Sequence, residues 1–188
     1  MNKVIAIVGI CGSGKSIASD YFKKIGYEKV YFGGVTMDVL KEKNLEINPE
    51  NEKKIREELR KQYGMGAFAK LLLPKIEELT KQKPVVLDGL YSWEELKILK
   101  EKFQEQLITL AIVVDKEIRY SRLEKREIRP LSNTQAKNRD IAEIENLQKG
   151  GPIVFADYYI FNNQGMEQYQ NDLKKFTKEV LKEEVLWI

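Results

Sequence analysis

Gly9-Ile10-Cys11-Gly12-Ser13-Gly14-Lys15-Ser16 fills every fixed position of the pattern G-x-x-x-x-G-K-[S/T]. Each fixed residue has a physical task. The glycines Gly9, Gly12 and Gly14 let the backbone turn tightly and point its amides inward with no Cβ in the way. Those amides, Cys11 and Ser13 included, form an anion site together with the amino terminus of the helix that follows. The Lys15 ammonium reaches the β- and γ-phosphates of a nucleoside triphosphate. The Ser16 hydroxyl is an oxygen ligand of the kind Mg²⁺ prefers. The spacing therefore predicts a site for ATP with Mg²⁺. Cys11, at a variable position of the loop, reads as a small filler rather than a nucleophile.

The flanks give this octapeptide the setting it needs. Val4–Val8 is a short run of Val, Ile and Ala, the pattern of a parallel strand buried on both faces. Residues 16–25 have helical spacing, with Lys23 and Lys24 at the carboxyl end and Gly26 as a stop. Further out, residues 30–32 and 85–87, then 107–114 and finally Tyr158–Phe161, read as strands. Helical patterns stand between them: a charged stretch broken near Asn48-Pro49 and at residues 63–66, then Trp93–Phe103, 117–126 and 166–181. Strands alternating with helices imply one α/β domain with a parallel sheet covered on both faces. Residues 131–151 are polar and mostly helical, an insertion rather than core.

Composition narrows the chemistry. The 188 residues suit a single domain, and no apolar run reaches the length of a membrane span. A single cysteine excludes an internal disulfide, and with no secretory signal pattern a cytoplasmic location is expected. A net charge of +3 is too small for a dedicated nucleic-acid binder. Histidine is absent, which removes the commonest general base and every histidine-dependent triad. Chemistry must rest on carboxylates, Lys, Arg, backbone amides or a hard cation.

Two further groups fit that constraint. Asp88 ends an apolar strand, where a carboxylate can hold the Mg²⁺ shell through water. Arg119, Arg122, Arg126, Arg129 and Arg139 lie within or beside the late insertion. Guanidinium forks match phosphate oxygens, and on a lid they would clamp a transferring phosphoryl group. Arg126, Arg129 and Arg139, at the helix break and in the insertion, are the expected clamps. Arg119 and Arg122 are expected to be solvated helix charge beside Glu117, Glu124 and Glu127. Trp93 and the tyrosines read as packing, and the Trp187-Ile188 end as a segment docking on the core or on a second subunit.

The phosphate loop, Val85-Val86-Leu87-Asp88-Gly89, the Arg-rich insertion and the stretch from Ala156 to Gly165 stand in the order seen in dephospho-coenzyme A kinases. The chain resembles that family over nearly its whole length. Arg56 to Lys70, with Arg60 and Tyr63-Gly64-Met65-Gly66-Ala67, is more similar to poorly characterised kinases related to adenylate and dephospho-coenzyme A kinases. The resemblance implies a P-loop fold with a five-stranded parallel sheet, an acceptor-binding helical part at residues 33–82 and a lid at 126–151. It also implies that Asn162 and Gly165 lie near the adenine of ATP. The match is incomplete on the acceptor side. Phe32-Gly33-Gly34-Val35-Thr36-Met37 has neither the acid nor the arginine often found after the second strand, and Leu90-Tyr91-Ser92 replaces Phe-Pro-Arg. Arg56, Arg60 and Lys70 remain as basic candidates for the acceptor, Arg56 and Arg60 sharing a helix face. The expected function is transfer of the γ-phosphoryl of ATP to a nucleotide-like small molecule, with no membrane or nucleic-acid partner and an oligomer allowed. The alternative is a nucleotide-binding switch with little acceptor chemistry. A GTPase guanine motif and a transporter signature are both absent.

Overall fold

The computed structural model describes residues 2–183; Trp187 and Ile188 lie outside the described residues. Five strands form one sheet: β1 (Val4–Val8), β2 (Glu28–Tyr31), β3 (Val85–Asp88), β4 (Leu107–Val113) and β5 (Tyr158–Phe161). Their order is β2-β3-β1-β4-β5, and every pairing is parallel. The strand positions read from the sequence hold to within two residues at each end, and the expected P-loop fold is the one observed.

Strand β1 is wholly buried because helices cover both faces of the sheet. Val4, Ala6 and Val8 point into one core, with Phe32, Leu40, Ile76 and Leu96. Ile5 and Ile7 point into the other, with Phe22, Ile112, Tyr169 and Leu173. The first core is closed by α2 (Gly34–Glu42), α3 (Pro49–Tyr63), α4 (Ala67–Gln82) and α5 (Trp93–Phe103). The second is closed by α1 (Lys15–Lys24) and α9 (Met166–Phe176). Helix α6 (Lys116–Glu124) follows β4, the late insertion holds α7 (Asn133–Glu145), and α8 (Gly150–Val154) starts at the insertion's end.

Local chemistry sets the helix starts. The Asn48 side chain caps α3 by accepting from the Asn51 N–H at 2.9 Å, with Pro49 at the first turn. Ser92 with Glu95, and Ser132 with Gln135, form reciprocal capping boxes on α5 and α7. Trp93 packs edge-on against Phe155 at 5.3 Å, the structural role read for it. After β1 the chain runs to β2 and β3 on one side, and later to β4 and β5 on the other. The order reverses around β1, and such a reversal opens a crevice at the carboxyl ends of the strands.

Candidate active site

The phosphate loop occupies that crevice, at the head of a cleft of about 1100 Å³. Gly9 has φ 147°, and a Cβ there would lie 2.6 Å from the Ile112 carbonyl oxygen of β4. The loop can leave β1 this close to its neighbour only with glycine at that position. Gly14 has φ 99°, and a Cβ would lie 2.6 Å from the Asn162 amide nitrogen. The loop is braced from outside. Asn162 Nδ2 donates to Ser13 O at 3.0 Å, and the Tyr169 hydroxyl donates to Gly14 O at 3.0 Å. Asn162, implied by resemblance to lie near adenine, is thus a buried support of the loop. Gly165 lines the same cleft beside the start of α9.

Among the described residues, seven basic side chains and three carboxylates line the cleft. That excess of positive charge suits a polyanionic ligand. Lys15 donates to the Ile10 carbonyl of its own loop at 2.9 Å. Burial, reinforced by the nearby Lys149 ammonium, pushes the Lys15 pKa down to about 7. The Ser16 hydroxyl, which follows it, is exposed to the cleft.

Asp88, 8% exposed, ends β3 next to the loop. The Ser19 hydroxyl donates to its Oδ2 at 2.9 Å, and Lys29 Nζ lies 3.0 Å from the same oxygen. Lys29 also donates to Asp20 Oδ1 at 2.9 Å. Burial works against its charge, yet the Asp20 and Asp88 carboxylates hold the Lys29 ammonium above the usual lysine range. Ser16 and Asp88 supply oxygen donors only, and no group of three or more acidic or sulfur ligands occurs among the described residues. That donor set fits Mg²⁺, which is bound through one or two protein oxygens, water and substrate phosphates. It does not fit a metal that needs a full protein cage.

The five arginines divide differently from the sequence-based expectation. Arg122, Arg126 and Arg139 line the cleft. Arg129 does not: its side chain is 66% exposed and pairs with Glu52 Oε1 of α3 at 3.1 Å. Arg119 and Arg122, read as solvated charge, are structural clamps. Arg119 is buried, donates to Cys11 O at 3.0 Å and forks onto Asp140 of α7. Arg122 donates to Asn162 O at 2.8 Å and Gln164 O at 3.1 Å. Both arginines tie α6 to segments that brace the phosphate loop. Spacing could not separate the two classes, because the bonding partners are carbonyls brought in by distant segments.

None of the acceptor-side bases lines the cleft. Arg56 pairs with Glu52 at 3.3 Å along α3, and Lys70 donates to Tyr63 O at 2.9 Å. Arg60 sits over the Phe68 ring at 5.2 Å, so Arg56 and Arg60 share a helix face without forming a joint site in the cleft. The cleft is instead lined beyond the loop by Lys29, Tyr31 and Tyr91. Sequence reasoning also passed over Glu143 and Lys149. The Cys11 N–H donates to Glu143 Oε2 at 3.0 Å, and Lys149 Nζ donates to that same oxygen at 2.8 Å. In the run Glu143-Ile144-Glu145-Asn146-Leu147-Gln148-Lys149 nothing distinguishes these two from solvated helix charge.

Comparison with known proteins agrees with this fold. A family model described as an AAA domain matches residues 5–148. A UPF0200 protein of Thermococcus onnurineus is 33% identical over 184 residues, covering 96% of this chain and 99% of the relative. Among solved structures, shikimate kinase from Bacteroides thetaiotaomicron superposes with a TM-score of 0.59 at 14% identity, covering 96% of this chain and 99% of the kinase. Dephospho-CoA kinase from Campylobacter jejuni gives a TM-score of 0.54 at 16% identity, covering 95% of this chain and 97% of that one. At these identities the two kinases establish the likeness of fold.

Proposed function

The chain belongs to the UPF0200 family and carries an AAA domain of P-loop kinase-like fold, and on that basis we propose that it is an ATP- and Mg²⁺-dependent phosphotransferase acting on a small, phosphate-bearing, nucleotide-like acceptor. The observation that carries this reading is the complete phosphate loop at the head of a strongly basic cleft that also holds the Asp88 carboxylate. The loop amides and Lys15 would hold the triphosphate, and Ser16 directly and Asp88 through water would hold Mg²⁺, which would supply neutralising charge to the phosphates. Arg126 and Arg139 reach the cleft from the lid side and stabilise the transferring group. An acceptor oxygen bonds the γ-phosphorus as the bridge to the β-phosphate breaks, and ADP leaves. Lys29, Tyr31 and Tyr91, rather than Arg56, Arg60 and Lys70, form the acceptor end. The reaction asks for positioning and charge stabilisation, so a chain without histidine can perform it. A cytoplasmic setting supplies ATP and keeps Cys11 of the loop reduced.

A second reading, a nucleotide-dependent switch, is favoured by one observation. Lys29 sits 3.0 Å from the carboxylate assigned to the Mg²⁺ shell. With the Ser19 hydroxyl on the same oxygen, a carboxylate held this way would be less free to take part in a Mg²⁺ shell. One screen separates the two readings: ATP consumption with dephospho-coenzyme A, nucleosides and nucleoside monophosphates, run beside Lys15→Ala. Acceptor-dependent ADP release that disappears in K15A is expected. Slow, acceptor-independent hydrolysis favours the switch, and wild-type protein that binds no ATP in calorimetry refutes both.

A further inference from the structure

The underside of the lid carries a buried ion pair that the phosphoryl transfer above leaves without a task. Glu143, on the last turn of α7, is 4% exposed, and Lys149 is 1% exposed. A buried ion pair is a poor source of stability, because desolvating two charges offsets their attraction. Its location is more informative. The Glu143 carboxylate accepts from the Cys11 amide of the phosphate loop at 3.0 Å, from Lys149 Nζ at 2.8 Å and from Arg139 Nε at 3.3 Å. A loop amide, a lysine and an arginine converging on one anion are the donor set of a bound phosphate group.

The backbone is shaped to keep Lys149 there. After α7, Gln148 adopts φ 52°, and the Lys149 N–H donates back to Glu143 O at 3.1 Å. On its other side the ammonium lies 4.5 Å from the centre of the Tyr91 ring, just beyond the end of β3. Lys149 therefore stands between the lid and the cleft floor. Lys15, the lysine that reaches the β- and γ-phosphates, feels both partners: Lys149 lowers its pKa and Glu143 raises it, though burial has the larger effect. Burial would also raise the Glu143 carboxyl, but Lys149, Lys15 and the Cys11 amide hold it below the usual range, so it is ionised.

We infer that the phosphate site extends from the Gly-rich loop to Lys149, and that the Glu143 carboxylate holds the place of a phosphate group until a triphosphate displaces it. The inference rests on the nucleotide-binding reading and adds a ligand and a competitor to it. Lys149 exchanges one anion for another, so its buried charge is never left bare. Glu143 lowers affinity for the triphosphate, and its removal strengthens binding, the opposite of what a purely structural carboxylate would do.

The test is titration calorimetry of the full chain with inorganic triphosphate in metal-free buffer, on wild type, E143Q and E143Q/K149M. Glutamine keeps the shape and can still accept from the Cys11 amide, and the double variant removes both buried charges together. E143Q is expected to bind triphosphate tighter by about tenfold or more, the effect of deleting one close like charge. E143Q/K149M is expected to lose that gain. Equal or weaker binding by E143Q overturns the inference, and a double variant that keeps the gain overturns the part of Lys149. Should E143Q fail to fold, E143D draws the charge back from the Cys11 amide. It is expected to shift affinity the same way by less, and unchanged or weaker binding again counts against the idea. ATP titrated into wild type keeps the two levels apart. If neither ATP nor triphosphate binds any variant, the nucleotide reading falls and this inference with it. If ATP binds wild type and E143Q alike, only the inference falls.

Discussion

Affinity for ATP should fall steeply as pH rises through the ordinary working range of an enzyme, because of one lysine. Lys15 is buried beside Lys149, and its pKa in the nucleotide-free protein is pushed down to about 7. A triphosphate placed against it favours the charged form and returns the pKa to the usual lysine range or higher. The sign follows from linkage: the bound state holds more protons than the free state at every pH between the two pKa values. Binding must then take up protons and weaken as pH rises. With a free-state pKa near 7, about 0.9 proton is taken up at pH 8, and affinity drops roughly 25-fold between pH 7.5 and 9. Phosphate groups are already ionised over that window, so the ligand's own titration contributes little. Calorimetry in two buffers of different ionisation enthalpy counts the protons directly. Lys15→Arg keeps its charge across the range and should flatten the profile, whatever its absolute affinity. A wild-type profile that is flat from pH 7.5 to 9 with no proton uptake would refute the argument, and with it the claim that Lys15 meets the phosphates from a buried, charge-crowded position.

Three further outcomes test the proposed phosphate clamp and the loop. Arg126→Ala, which removes a guanidinium from the cleft, should lower kcat about 10²-fold with ATP affinity changed less than about threefold, whereas Arg129→Ala, whose guanidinium lies on Glu52 outside the cleft, should leave steady-state kcat within about twofold. Gly9→Ala forces a Cβ to within 2.6 Å of the Ile112 carbonyl at φ 147°; it should cost about 2–3 kcal/mol, a fall in Tm of about 4–12 °C by calorimetric melting, and an unchanged melt would show that β1 and β4 can part without loss.

The legible parts of this protein are those built from contiguous residues. Val4–Val8, the loop from Gly9 to Ser16 and the helix after it specify strand, anion site and helix start by local rules. A Pro after Asn48 and a Ser three residues before Glu95 or Gln135 mark helix starts in the same way. Arg119, Arg122, Arg129 and Arg139 were not separable at that level. All four lie in polar sequence. Arg119, Arg122 and Arg129 take their roles from Cys11, Asn162 and Glu52, which the chain brings to them from far away, whereas Arg139 pairs with Glu143 one turn on and reaches the loop through that carboxylate's bond to the Cys11 amide. The same holds for Asp88. Its position at a strand end is a local fact, but the Lys29 ammonium beside it comes from a neighbouring strand.

By itself, then, the sequence determined an α/β domain with a phosphate loop, because periodicity and backbone permissiveness act between near neighbours. Which bases enter the cleft was decided by the tertiary structure. The sheet order β2-β3-β1-β4-β5 sets Lys29 against Asp88, and the turn after α7 folds Lys149 back onto Glu143 above the loop. Charges carry no periodic signal of their own. A lysine that faces solvent and one that faces a phosphate site are the same letter, and only burial and the partners assembled around each distinguish them.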